Sequence, residues 1–160
     1  MTEAASRPAD PAAVLFRERL SPSVGTWIVL VAFGSILGVI LVPLSTTLAA
    51  VVAGLGIAAM IVFGVAWSPV LEVTREHLTA GRAQVPVALL EEPVAVEGEQ
   101  WQELMGVGFE PLAFHCTRGW IRTGVRVPLD DDDDPTPAWV MSSRRPQDLV
   151  LALQVARSER

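Results

Sequence analysis

The longest uncharged stretch of the sequence decides what the chain can fold into. No charged side chain lies between Arg19 and Glu72, and most residues of the stretch are Val, Leu, Ile, Ala and Gly. A helix that crosses the hydrocarbon layer of a bilayer needs about 20 apolar residues, so the stretch has the length of two such helices. Because backbone polar groups in lipid must be satisfied within their own segment, helices are the form open to these residues. We therefore predict a transmembrane helical hairpin.

Pro43 and the hydroxyl side chains that follow it divide the hairpin. Proline ends a helix, and any of the hydroxyls of residues 45–47 can cap the next one. The predicted spans are about 23–42 and 48–67. A cleaved signal peptide is the alternative, because small residues near Ala49 fit a cleavage site. The first apolar run, however, is longer than a signal core of about 7–15 residues, and a second run follows it at once.

Arginines flank the hairpin on both sides, namely Arg7, Arg17, Arg19, Arg75 and Arg82. The short connection near Pro43 carries no charge. By the positive-inside rule, the hairpin spans a bacterial plasma membrane twice, with both chain termini in the cytoplasm. Trp27 and Trp67 would then lie at the cytoplasmic interface, which indole rings prefer.

Small residues recur every four positions in both predicted spans. Gly34 and Gly38 form such a pair in the first span, and Ala50, Gly54 and Ala58 form a row in the second. Small faces let helix backbones approach closely in membranes. We favour packing of the two spans on each other within one chain, and a homodimer through the glycine pair is the alternative. Neither span holds an ionisable group that could serve a transport path.

The residues before the hairpin, about 1–22, are predicted to form a tail and a short helix. Met1 to Pro11 is rich in Ala, Pro and charged residues and has no apolar face, which is typical of disorder. Ala12 to Leu20 can form an interfacial helix with Val14 and Phe16 toward lipid.

The residues after the hairpin, about 70–157, carry short strand patterns separated by Gly, Pro and charged turns. The predicted strands are Val70–Thr74, Leu78–Ala80, Gln84–Leu90, Val94–Glu97, Leu112–Cys116, Trp120–Pro128 and Ala138–Ser142. A helical turn is predicted at Glu99–Met105, and an amphipathic helix at residues 146–157, with Asp148 near its positive end. This pattern predicts a mainly β domain, a small antiparallel barrel or sandwich with a C-terminal helix.

Four motifs in this order resemble one known family. They are Phe16–Leu20 (FRERL), Leu78–Pro86 (LTAGRAQVP), Pro135–Val140 (PTPAWV) and Ser142–Pro146 (SSRRP). Together with the hairpin, they resemble a family of small actinobacterial two-span membrane proteins that is catalogued only as a domain of unknown function. The domain after the hairpin also resembles bacterial pleckstrin-homology-like (PH-like) domains, which implies a partly open β barrel with a C-terminal helix. The family implies no activity and supplies no functional residues.

Arginines in the predicted strand 120–128 and just before it form the strongest candidate site. Arg118, Arg122 and Arg126 recur every fourth residue, and in a strand this spacing puts all three on one face, with Trp120 beside them. Such a basic stripe could bind a phosphate group, an anionic lipid headgroup or an acidic protein partner. The alternative is a solvated surface that nearby acidic residues balance.

Other chemistry finds little support in the sequence. His115 and Cys116 are neighbours, so in a strand their side chains point to opposite faces, and with His77 they do not make up a zinc site. The run Asp130–Asp134 lacks the spacing of a calcium loop, so a solvated loop is the preferred interpretation, with weak cation binding as the alternative. We expect no metal, no cofactor and no catalytic residue, since no nucleotide-binding or hydrolase motif occurs.

Charge also argues against a nucleic-acid partner. From Glu72 to Arg160 there are nine arginines and fifteen acidic residues, a net charge of −6, which repels phosphate polymers at long range. The sequence therefore predicts a non-enzymatic adaptor that presents its domain at the cytoplasmic membrane face to a protein or an anionic lipid. A ligand-binding or catalytic accessory subunit of a larger membrane complex is the alternative.

Overall fold

The computed structural model describes residues 13–131 and 134–158. The described residues divide into two compact units: a helical hairpin of residues 19–69, and a β unit formed by the described residues up to Glu18 and from Val70 onward. The hairpin is therefore an insertion within the β unit, between its first and second strands. The disordered tail predicted at Met1–Pro11 lies outside the described residues.

The hairpin consists of helix α1 (Val24–Leu41) and helix α2 (Thr46–Ala66). Ser23 and Ser45 cap their N-termini by accepting hydrogen bonds from backbone N–H groups, because a helix leaves its first N–H groups without partners. Both helices are long and apolar enough to cross a membrane, and they end within two residues of the predicted spans.

The apolar side chains of the hairpin point mostly outward. Phe33, Leu37 and Leu55 are 67%, 63% and 67% exposed, whereas the core helix of a water-soluble protein buries such residues. This exposure is what helices in lipid require, since the apolar surface then faces hydrocarbon.

The β unit contains two four-stranded sheets. The first has the strand order β1 (Val14–Arg19), β2 (Val70–Thr74), β3 (His77–Ala80) and β4 (Ala83–Pro86). The second is built from β5 (Val94–Glu97), β6 (Phe114–Cys116), β7 (Thr123–Pro128) and β8 (Ala138–Ser142), in the order β5-β7-β8-β6. Helix α3 (Gly98–Met105) follows β5, and helix α4 (Pro146–Ser158) follows β8, which confirms the predicted C-terminal helix.

The second sheet departs from the predicted antiparallel pattern. β7 pairs antiparallel with both β5 and β8, but β6 pairs parallel with β8. β6 and β7 follow each other in the chain but are not neighbours in the sheet, because β8 lies between them. Since β6 and β7 run in opposite directions and β8 is antiparallel to β7, β6 and β8 run in the same direction. The two sheets do not close into a barrel.

The core of the β unit lies between α4 and the strands of both sheets. α4 contacts β2, β5 and β7, and its Leu149 and Leu153 are fully buried. All five residues of β8 are buried; Ala138 and Val140 face a cluster around Trp101 of α3. β8 is thus covered on both faces, and it forms the centre from which the candidate site is positioned.

The predicted interfacial helix at Ala12–Leu20 is wrong, because residues Val14–Arg19 form strand β1. Burial along β1 alternates at its end, with Phe16 and Glu18 buried and Arg17 and Arg19 exposed, which is the two-residue period of a strand. Pairing with β2 places β1 at the edge of the first sheet.

Candidate functional site

The predicted basic stripe is not formed by one strand face. β7 begins at Thr123, so only Arg126 of the three arginines lies in a strand. Arg118, Trp120 and Arg122 belong to the connection between β6 and β7, where the N–H of Ile121 donates to the carbonyl oxygen of Arg118 at 2.9 Å and closes a turn. The even-spacing argument fails because this turn interrupts the strand before Thr123.

Arg126 is committed to a structural ion pair. Its Nε and Nη2 donate to the two carboxylate oxygens of Glu110, each at 3.0 Å, and both side chains are 32% exposed. Such a bidentate pair holds the guanidinium in one geometry. It also fastens the loop before β6 to β7, so the structure separates Arg126 from the other two arginines of the prediction.

Arg118 and Arg122 instead line a common cleft between α3 and the turn. The cleft has a volume of about 460 Å³, within the range of about 300–1,000 Å³ that is usual for small-molecule sites. Its described lining residues are Trp101, Gln102, Met105, Thr117, Arg118, Gly119, Ile121 and Arg122. None of these carries a negative charge, and Trp101 and Ile121 form a nearly buried apolar floor.

A buried carboxylate organises the neighbouring end of β8. Glu18 is only 8% exposed; it accepts a hydrogen bond from the hydroxyl of Ser143 at 2.6 Å and another from the backbone N–H of Arg144 at 3.0 Å. Ser143 in turn pairs with Thr123, whose hydroxyl donates to its carbonyl oxygen at 2.6 Å. Thus the last residue of the β unit before the hairpin is tied to the end of β8 and the start of β7.

Five arginines belong to segments that meet at this end of β8, and we call them the arginine edge: Arg17, Arg118, Arg122, Arg144 and Arg145. The N–H of Arg118 donates to the hydroxyl of Ser142 at 2.9 Å, and Arg145 donates from Nη2 to the carbonyl oxygen of Arg17 at 3.1 Å. Arg122 directly precedes Thr123. Sequence reasoning missed Glu18, because burial of a charge leaves no signal in a hydrophobic pattern.

Trp120 lies in the same turn as Arg118. Its indole nitrogen is buried and finds no hydrogen-bond acceptor within the described part of the chain. Buried donors of this kind normally have a partner, so the turn contains a polar group that the described residues leave unsatisfied.

His115 and Cys116 occupy adjacent positions of β6 and do not form a nucleophile pair. The Nε2 of His115 contacts the carbonyl oxygen of Glu110 at 2.9 Å, and its ring stacks on Phe109. Burial raises the pKa of the Cys116 thiol above its ordinary value, although the nearby charge of Arg118 works in the opposite direction. A thiol with a raised pKa is a poor nucleophile at neutral pH.

Among residues 13–131 and 134–158, no group of three or more His, Cys, Asp or Glu side chains is arranged to hold a metal ion. Part of the Asp130–Asp134 run lies outside these residues. Asp134 accepts a hydrogen bond from the N–H of Thr136 at 2.9 Å, and bonding to Thr136 lowers the pKa of its fully exposed carboxyl.

The glycine pair of the first helix packs against α2, but not against the row of small residues that the sequence predicted. A Cβ on Gly34 would come within 2.6 Å of the carbonyl oxygen of Gly56, and one on Gly38 within 2.7 Å of that of Ala49. The predicted row of the second span is exposed instead, and a Cβ on its Gly54 would meet no atom within 4 Å. The glycine pair of α1 is thus used within the chain, against the neighbouring face of α2.

One comparison with known proteins gives a match. The family described as "Protein of unknown function (DUF3093)" matches residues 15–153, which include the whole hairpin and nearly all of the β unit. Comparison with curated proteins gives no match. Comparison with solved structures gives no match.

Proposed function

The chain belongs to the DUF3093 family of proteins of unknown function, and we propose that it is a non-enzymatic adaptor of the bacterial plasma membrane. In this proposal α1 and α2 cross the bilayer, both chain termini are cytoplasmic, and the β unit works at the inner membrane surface. The arginine edge is the surface that the β unit offers to its partner.

The place of the hairpin within the β unit is the observation that carries this proposal. β1 ends at Arg19 and α1 begins at Val24, while α2 ends at Ala66 and β2 begins at Val70. Connections of three or four residues reach only about 10–14 Å even when fully extended. Two adjacent strands of one sheet are therefore joined to membrane-length helices by very short connections, which supports a role for the β unit at the membrane surface.

The distribution of arginine supports the cytoplasmic side. The arginine edge lies at the end of the β unit from which the chain enters α1, since Glu18 contacts Ser143 and Arg144. Basic residues beside membrane spans are retained in the cytoplasm, and the inner leaflet is rich in anionic lipid. The arginines would thus be close to negative charge.

Cysteine labelling of the full chain in its native membrane tests the topology. Cys116 is the only cysteine of the sequence, so Cys116→Ala supplies a background for single cysteines at Leu44→Cys, between the two helices, and at Ser158→Cys. A membrane-impermeant maleimide added to intact cells should label the first variant at once, and the second only after lysis. Labelling of Ser158→Cys in intact cells would contradict the proposed orientation.

Co-purification tests the adaptor role. The full chain with a tag after Arg160 is isolated from native membranes in mild detergent, and proteins and lipids of the eluate are quantified. We expect a component in fixed ratio to the chain that is lost when Arg122 and Arg145 are replaced by glutamine. Catalytic turnover in the purified chain, or retention of the component by the variant, would contradict the role.

A further inference from the structure

The cleft beside α3 has the charge of an anion site within an acidic unit. The residues from Glu72 onward carry a net charge of −6, yet the two ionised side chains among the described lining residues are the guanidinium groups of Arg118 and Arg122. Glu99 and Glu103 of α3 are exposed and do not line the cleft. Because the surrounding unit repels anions at long range, a ligand must be bound by local contacts.

The two guanidinium groups are held in different ways. Arg118 is half-buried; its backbone N–H is fixed on Ser142, and its Nη1 donates to the carbonyl oxygen of Thr117 at 2.8 Å. Arg122 is exposed, and it makes no ion pair within the described part of the chain. A pre-positioned guanidinium loses little side-chain entropy on binding, while an exposed one can close over a bound anion.

The chemistry of the cleft matches a phosphate group that is attached to an apolar body. Guanidinium groups bind phosphate oxygens through parallel, charge-assisted hydrogen bonds, and the amide of Gln102 adds a neutral donor. Met105 and the floor of Trp101 and Ile121 offer apolar surface that inorganic phosphate would leave uncovered. At the membrane surface, molecules that combine both features are phospholipids.

We infer that this cleft binds the phosphate group of an anionic phospholipid, with Arg118 and Arg122 on the phosphate and the apolar floor against the adjoining glycerol and acyl carbons. The inference rests on the proposed function for access to lipid, because the cleft lies at the end of the β unit where Glu18 leads into α1. The arginine edge then has a second role, because two of its members, Arg118 and Arg122, bind single lipid molecules of the bilayer.

Native mass spectrometry of the full chain in mild detergent tests the inference without depending on membrane topology. The probes are dioctanoyl phosphatidylglycerol, dioctanoyl phosphatidylcholine and inorganic phosphate, each titrated separately. Phosphatidylcholine is the matched lipid, since it has the same phosphodiester but also a cation that two guanidinium groups repel. We expect one phosphatidylglycerol per chain, bound at least tenfold more tightly than either of the other probes.

Three variants locate the binding. Arg122→Gln removes an exposed guanidinium from the cleft and should weaken phosphatidylglycerol binding at least tenfold, with an unchanged unfolding midpoint. Arg82→Gln removes the same charge outside the cleft and should change the affinity less than threefold. Because Arg118 is half-buried, Arg118→Lys is preferred to its removal, and loss of the planar fork should also weaken binding.

Equal weakening by all the variants would show that net charge alone attracts lipid, and would overturn the inference. Equal affinity for inorganic phosphate and phosphatidylglycerol would overturn the lipid assignment in favour of free phosphate. Absence of saturable binding would overturn the site altogether. None of these results would alter the outcome of the cysteine labelling, so failure of the lipid site and failure of the proposed function can be told apart.

Discussion

Replacement of Glu18 tests whether a single buried carboxylate fastens β1 to the rest of the β unit. Its two oxygens accept hydrogen bonds from the hydroxyl of Ser143 at 2.6 Å and from the N–H of Arg144 at 3.0 Å. These contacts join residues more than a hundred positions apart. The side chain is 8% exposed, so water cannot easily take its place after a substitution.

The expected loss of stability on replacing Glu18 follows from the two hydrogen bonds that its carboxylate accepts. A hydrogen bond to a charged group contributes about 1.5–3 kcal/mol, and a buried donor left without an acceptor adds a desolvation cost. Part of the lost free energy should be recovered, because the Ser143 hydroxyl also accepts a hydrogen bond from the N–H of Arg145 and can rotate toward another partner. We therefore expect Glu18→Ala to lower the free energy of unfolding by about 3 kcal/mol, and Glu18→Gln by about 1 kcal/mol, since an amide keeps one acceptor.

Urea unfolding in mild detergent, followed by tryptophan fluorescence, measures this difference. With a dependence of about 1–1.5 kcal/mol per molar urea for a unit of this size, Glu18→Ala should lower the midpoint by about 2–3 M. The control is Glu72→Ala, which removes a carboxylate of the same sheet that pairs with the exposed Arg17 at 3.4 Å. An exposed pair contributes about 0–1 kcal/mol. Equal midpoints for the alanine variants of Glu18 and Glu72 would refute the fastening role.

Three further predictions concern close contacts of glycines and a buried thiol. Gly56→Ala would press a methyl group onto the carbonyl oxygen of Gly34 and should cost about 1–3 kcal/mol in resistance to unfolding by SDS; Gly54→Ala, in open space, should cost nothing, because alanine is the better helix former. Gly124→Ala would bring a Cβ against a backbone carbonyl of β8 and a tryptophan ring, so the urea midpoint should fall by an amount equivalent to about 1–3 kcal/mol. Since burial raises the pKa of Cys116 above 9.0, iodoacetamide should modify the folded chain at pH 8 at least tenfold more slowly than the unfolded chain. The folded state then holds the thiol proton more tightly than the unfolded state, so the contribution of this group to stability should decline as pH rises above about 9.

Regular periodicity let the sequence predict most elements of the fold. Val70–Thr74, Val94–Glu97 and Ala138–Ser142 alternate or run apolar between clear turn residues, and the structure has strands with the same bounds. β1 was missed for two physical reasons. Its partner β2 lies beyond a long insertion, and Glu18 puts a charge at a buried position of the strand, where a hydrophobic pattern predicts an exposed one.

The candidate site was predicted only in part, because its contacts are not local. The sequence correctly predicted that Arg118 and Arg122 share one site, since they are close along the chain. It wrongly included Arg126 on the basis of strand spacing, because Arg126 pairs with Glu110, sixteen residues away. The turn that removes Arg118 from the strand contains Gly119, a residue that favours turns. In the hairpin, small residues lie on two neighbouring faces of α2, and only contact with α1 decides which face is used.

The position of the hairpin raises the entropic cost of pairing β1 with β2, and the packing of its two helices lowers that cost. β1 and β2 are neighbours in one sheet, but about 50 residues separate them, and closing a flexible loop of that length costs about 3.5 kcal/mol from (3/2)RT ln n. The helices remove most of this cost, because their packing through Gly34 and Gly56 brings the two ends of the insertion together. The N–H of Leu20 donates to the carbonyl oxygen of Pro69 at 2.9 Å, so the base of the hairpin is already closed where the strands begin. A hairpin that forms before the sheet would therefore act as a preorganised connection between β1 and β2, and Glu18 would then hold β1 against the rest of the β unit.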